Sequence, residues 1–189
     1  MTGEAPGCYY TRKTEICIEK RENRMIETVI TRMIAYNHGD ARRIHHALKV
    51  YAFASAIAGE EKMPERGRMV LEAAAVLHDI GIHVCEEKYG SCAGPLQEKE
   101  GPAVARPLLE GLELEEEEKE RVLWLIAHHH TYTGEKQLDH QILLEADFLV
   151  NAGESGYERA AIETAREKIF RTASGIRLLD AMFFPQDRA

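Results

Sequence analysis

Cysteine is scarce in this chain: Cys8, Cys17, Cys85 and Cys92 are the whole complement, with no CxxC pair and no dense spacing. Neither a disulfide framework nor a sulfur-rich zinc site is indicated, and free thiols in a reducing compartment are expected. Long apolar stretches are also missing. The longest wholly apolar run, Val122 to Ala127, has six residues, whereas a bilayer span needs roughly 20. The opening residues, MTGEAPGCYY, lack both the basic start and the apolar stretch of a signal peptide. A cytoplasmic protein with no membrane partner is therefore expected. Positive charge is in the minority, with 24 Lys and Arg against 32 acids and a formal net charge of -8. Binding to a phosphate backbone draws on a basic surface, so no nucleic-acid partner is expected. What remains is ordinary for a globular chain: 189 residues, 44% hydrophobic and 30% charged, enough for a core and too apolar for a disordered or collagen-like protein.

Strand-helix alternation, repeats and low-complexity linkers are absent from the pattern, and the fold class read from it is a compact, single-domain, all-α bundle. Residues 1–21 are left as an unassigned N-terminal arm, in which the alternation Thr14-Glu15-Ile16-Cys17-Ile18 admits a short strand. The helical domain is assigned to 22–189. Met25, Ile26, Ile30, Met33 and Ile34 recur at helical spacing from Glu22 to about Tyr36, with Asn37-His38-Gly39 as the stop. Asp40 is read as an N-cap for a helix reaching about Gly59, and Glu65 to about Asp79 as a further helix ending near Gly81. Residues 80–99, with three glycines and a proline, are expected to form a long loop. Helices follow from Pro102 to Glu110, from the acidic run Glu113–Glu118 to the Thr133-Gly134 turn, and over about Leu138–Asn151, Tyr157–Phe170 and Ser174–Met182.

Nine histidines, several of them clustered, are the unusual part of the composition. His46 shares a stripe with Val50, Phe53 and Ile57, whereas its neighbour His45 lines up with Arg42 and Lys49, so His46 is expected to be buried and His45 exposed. His78 and Asp79 sit together at the end of an Ala-rich helix. In the triplet His128-His129-His130, His129 follows Val122, Leu125 and Ile126 on the inner face, His128 lies toward Trp124, and His130 belongs to the exit turn. Asp147 shares a stripe with Leu143, Leu144 and Val150. A buried carboxylate there costs several kcal/mol unless a cation or strong donors accompany it; a metal is the economical partner, and a buried arginine, Arg43 foremost, the alternative. Together His46, His78, Asp79 and Asp147 offer two imidazoles and two carboxylates, a mixed N/O set suited to open, catalytic metal sites.

The order His46, then His78-Asp79, then Asp147, within HHALKVYAFA, AAAVLHDIGI and LLEADFLVN, resembles the HD-domain superfamily of metal-dependent phosphohydrolases over about 40–151. The resemblance implies one or two divalent ions (Mn, Fe, Ni, Co, Zn or Mg) held by those four residues. In the binuclear class it implies Asp79 as a bridge and further ligands at His128, His129 and Glu100, the last standing where a histidine is common. The implied activity is hydrolysis of a small phosphorylated substrate, foremost a nucleotide; for such a reaction Arg42, Arg43, Lys49 and Arg106 are the candidates to bind phosphate oxygens, Arg43 slightly ahead of the others, and His130 the candidate to protonate the leaving oxygen. Ile82 in place of the lysine that often follows the HD-x-G motif, and HHHTYTGEK in place of a Gly-Tyr-Pro continuation, turn the reading away from cyclic-di-GMP. A silent metal- or nucleotide-binding regulatory module is the main alternative and a di-iron oxygenase of related scaffold the other. A homo-oligomer is left open.

Overall fold

The computed structural model describes residues 25–134 and 136–184. The N-terminal arm, its strand pattern and the start of the first helix lie outside the described residues. Within them the chain is all-α, with no strand: α1 over 25–36, α2 Ala41–Glu60, α3 Glu65–Leu77, α4 Ile82–Tyr89, α5 Gly94–Leu109, α6 Glu116–Ile126, α7 Leu138–Ser155, α8 Arg159–Lys168 and α9 Ala173–Phe183.

Two helices form the middle of the bundle, and their sequences explain why. In α3 the run Met69 to Leu77 is buried without interruption, and in α7 so is the run Asp139 to Val150. A helix buried on all sides along such a run has no solvent face there and lies inside a shell of others, and polar side chains along it, Glu72 in α3 and Gln141, Glu145 and Asp147 in α7 among them, have hydrogen-bond partners. α2 packs against both, α6 covers α3, α5 covers α6, and α9 closes on α7 and α8. Val50, Ala54, Ile57, Leu71, Leu77, Leu125, Ile126, Leu143 and Leu149 meet in one hydrophobic core.

Helix ends follow local chemistry. The Asp40 carboxylate accepts from the Arg43 amide at 3.0 Å and caps α2. Glu116, Glu117 and Glu118 fill the first turn of α6, where acids complement the helix dipole. The segment expected to be a loop, 80–99, instead contains α4 and the start of α5. α4 has eight residues with only Ile82 and Cys85 buried, too short a period to register in sequence. Pro95 occupies the first turn of α5, where no amide hydrogen is needed, and Pro102 and Pro107 lie inside that helix rather than marking its edge. α6 ends at Ile126, so the histidine triplet falls in the turn beyond it.

Candidate metal centre

His46, His78, Asp79 and Asp147 come from α2, the turn after α3, and α7, and meet at one end of the central pair. His46 Nε2 lies 3.3 Å from His78 Nε2, 3.3 Å from Asp147 Oδ1 and 3.5 Å from Asp79 Oδ2. His78 Nε2 lies 3.5 Å from each of the same carboxylate oxygens. His78 and Asp147 are almost wholly buried and His46 nearly so, while the Asp79 side chain keeps 22% exposure and opens the cluster to solvent.

The far nitrogens of the rings fix which atoms face inward. His78 Nδ1 donates to the Ala75 carbonyl at 2.8 Å, His129 Nδ1 to the Ile126 carbonyl at 2.6 Å, and His46 Nδ1 to the Glu154 carboxylate at 3.0 Å. These acceptors have no proton to give, so each Nδ1 carries the hydrogen and a neutral ring leaves Nε2 as a bare lone pair. Two such lone pairs 3.3 Å apart require a shared proton or a cation between the groups. His129 Nε2 is buried with no hydrogen-bond partner among the described residues, and leaving a buried polar atom unpaired costs about 1–3 kcal/mol.

Charge is balanced in the same way. Burial opposes protonation of His78, yet the Asp79 and Asp147 carboxylates hold its pKa up to about 9. His46 is likewise raised against the effect of burial, by Asp147, Asp79 and Glu154. Burial works to raise Asp79, but His78 and His129 hold it down to about 2, and the imidazoles hold Asp147 well below the usual carboxylate range. The two acids are ionised and the pocket demands positive charge.

A second triad shares Asp79. Asp79, His129 and His130 present nitrogen and oxygen atoms within 4.8 Å of one another, and His129 Nε2 stands 3.5 Å from Asp79 Oδ1. The two oxygens of Asp79 therefore face different sets: Oδ2 toward His46 and His78, Oδ1 toward His129. Gly94, at the start of α5, accommodates the His130 ring, since a Cβ there would come within 2.8 Å of His130 Cδ2. Burial and the neighbouring His129 push the His130 pKa down, which favours the neutral ring of a ligand over the proton donor expected from sequence.

Three sequence expectations land elsewhere. His128 is half-buried and outside both groups: its ring stacks on Trp124 at 4.0 Å and its Nδ1 donates to the Trp124 carbonyl at 2.7 Å. His128 thus lies toward Trp124 and His130 in the exit turn, as their spacing suggests, but it is His130, not His128, that joins His129 beside Asp79. Glu100 lies outside both groups too. Its carboxylate accepts from Lys88 Nζ at 2.6 Å and Tyr89 Oη at 2.7 Å, partners supplied by the unforeseen α4. Arg43 reaches the rim rather than the buried carboxylates, pairing with Asp40 at 2.9 Å and Glu86 at 2.6 Å and contacting His83.

The family model of the HD domain matches residues 43–173, a span containing both triads and the helices that carry them. The chain belongs to the HD-domain family. No curated protein matches it. HD domains make up a superfamily of metal-dependent phosphohydrolases and bind divalent metals, and the residues of this HD domain fit such an ion. The donors are imidazole nitrogen and carboxylate oxygen, the bare nitrogens converge, and one of them is orphaned.

Sequence reasoning missed the residues that orient these groups. Glu154, on the last turn of α7, holds His46 and also pairs with Lys49 at 2.9 Å. Asn151 donates to Asp147 Oδ1 at 2.8 Å. Glu98, not Glu100, serves the histidine turn, accepting from the His130 amide at 3.0 Å and Thr131 Oγ1 at 2.8 Å. The i, i+4 and i, i+7 spacing of Asn151 and Glu154 from Asp147 was the available signal. A cleft of ≈ 320 Å³ leads to the centre, lined by Asp40, Arg42, Arg43, His46, Asp79 and Asn151 among others.

Proposed function

We propose that this HD domain hydrolyses phosphate esters of small molecules, with nucleotides the first class to test, at a divalent-metal centre. The observation that carries the reading is the convergence of the His46 and His78 Nε2 atoms, 3.3 Å apart, on the Asp79 and Asp147 carboxylates. His46, His78, Asp79 and Asp147 would hold one ion and Asp79, His129 and His130 a second. A divalent ion supplies water activated to hydroxide near neutral pH and neutralises phosphoryl oxygens.

The chain's own side chains do the rest. Glu154, Ala75 and Ile126 fix the rings so that Nε2 faces the centre. Arg42 lines the cleft and can bind a non-bridging phosphate oxygen, whereas the Arg43 guanidinium is held by Asp40 and Glu86 and so shapes the rim. Buried α3 and α7 keep the inner side of the centre dry.

The test is release of nitrophenol from bis-p-nitrophenyl phosphate and p-nitrophenyl phosphate with Mn²⁺, Fe²⁺, Co²⁺ or Ni²⁺, followed by a nucleotide panel. Turnover that chelation abolishes and fresh metal restores is expected, with loss of several hundredfold in His78→Ala. Tight metal binding with no turnover of any ester would instead make the domain a binding module, and oxygen consumption with a polyol would make it an oxygenase.

A further inference from the structure

A second and larger cleft, of ≈ 830 Å³, lies between the histidine turn, the start of α7 and the connection from α8 to α9, with Tyr132 on the side nearest Asp147. It shares no lining residue with the cleft that leads to the metal centre. Lys136, Lys168 and Arg171 line it. None of the three meets a carboxylate among the described residues. Lys136 Nζ donates to the Tyr132 and Gly134 carbonyls, Arg171 donates to the Glu167, Phe170 and Lys168 carbonyls, and Lys168 is exposed with no partner among the described residues. The acid in this lining, Glu61, is turned to the start of α9, where Ser174 donates to it from both amide and hydroxyl.

Three cations without a carboxylate partner gather in one cleft on a chain whose acids exceed its bases by eight; Arg106 is paired with Glu120 and Arg166 with Asp180, and the other cations without an ion pair among the described residues, Arg32, Arg42 and Lys62, lie outside this cleft. Beside the cations the same cleft is lined by two exposed apolar residues, Tyr132 and Leu138, each 40% exposed. Like charges gathered at a concave surface attract a polyanion, and an exposed aromatic ring offers a stacking face.

We propose that this cleft binds a small nucleotide-like ligand, its phosphates on Lys136, Lys168 and Arg171 and its planar ring on Tyr132, at a site distinct from the metal centre. The proposal stands independently of the phosphohydrolase reading, because none of these residues belongs to either triad. A protein partner presenting an acidic segment, or a single-stranded oligonucleotide, is the competing occupant.

The experiment is calorimetric titration of the full chain with ATP and, separately, with inorganic tripolyphosphate, in EDTA so that the metal centre takes no part. ATP is expected to bind the native protein saturably. The Lys136→Ala/Lys168→Ala double variant, with helical circular dichroism unchanged, is expected to bind it at least about tenfold more weakly. Tyr132→Ala is expected to weaken ATP but not tripolyphosphate, and Arg42→Ala, in the other cleft, to change neither. No saturable binding of ATP to the native protein, an unchanged affinity in the double variant, a loss caused by Arg42→Ala, or an oligonucleotide or acidic peptide binding these lysines more tightly than ATP would each overturn the proposal.

Discussion

His46 uses both ring nitrogens, one toward the centre and the other toward Glu154, so the carboxylate sets the ring's tautomer without touching the ligand. Glu154→Gln keeps the size of the side chain but can present a donor to Nδ1. Metal affinity is expected to fall about 10- to 100-fold, as for other lost orienting partners, with the melting temperature of the chelated protein nearly unchanged; calorimetric titration with Mn²⁺ checks it. A second residue-scale prediction comes from His78. Its pKa is raised to about 9 in the metal-free fold, from an unfolded value of ~6.5. The stabilisation from this group is complete below ~6.5 and is lost as pH climbs through about 9. Asp79, lowered to about 2, contributes fully above ~4 and loses its contribution as pH falls toward 2. The chelated protein is therefore expected to lose melting temperature between pH 6.5 and 9. A bound ion takes the place of the His78 proton, so Mn²⁺-loaded protein should not show that decline, and apparent Mn²⁺ affinity should climb over the same range. Parallel melting curves for the two forms would contradict this.

At the scale of elements, the metal centre depends on how closely the turn after α3 approaches α5. A Cβ on Gly81 would lie 2.8 Å from the backbone of Gly101, and a Cβ on Gly101 would lie 2.8 Å from Ile126 Cγ2. Backbone cannot move aside as a side chain can, so Gly81→Ala is expected to cost about 1–3 kcal/mol by overpacking and to weaken metal binding by shifting Asp79. Gly153, inside α7 with open space around its Cβ position, is the control: Gly153→Ala should be neutral or stabilising by up to ~1 kcal/mol. Urea unfolding of the two variants separates them. The elements also show where sequence reading succeeds. Asp40 was legible as a cap, and the periodicity of α2 and α7 was long enough to place His46 and Asp147 on inner faces. α4 was not legible because its eight residues lie between Gly81 and Gly90 and bury so little. The α6 pattern placed His128 toward Trp124 and His130 in the exit turn, where they are, but it did not show that this turn carries the His130 ring to Asp79, since the 100° step of a helix does not hold in a turn. The Glu100 assignment failed with α4, which supplies the Lys88 and Tyr89 that hold it.

Over the whole molecule, acidic charge and a buried, positively demanding centre act together. With a net charge of -8, binding of duplex DNA at physiological salt is expected to be weaker than micromolar, despite the cationic cleft; fluorescence anisotropy with a labelled duplex checks it. No helix among the described residues is long and apolar enough to cross a membrane. The all-α class was readable because no strand-helix alternation interrupts the helical periodicity, and the resemblance implied Asp79 as a bridge, whereas the direction of each of its oxygens, Oδ2 toward His46 and His78 and Oδ1 toward His129, emerges only from three-dimensional packing. The sharing of Asp79 between two triads is the centre of the functional reading, and metal content decides it most directly. After loading with excess Mn²⁺ and removal of free ion, plasma mass spectrometry is expected to find about two ions per chain in the native protein and in His45→Ala, whose histidine is exposed on the outer face of α2. About one is expected in His129→Ala, and close to none in His78→Ala with its helical circular dichroism intact. Full occupancy in a folded His78→Ala variant would show that the metal, if bound, lies elsewhere and would contradict the assignment of this cluster.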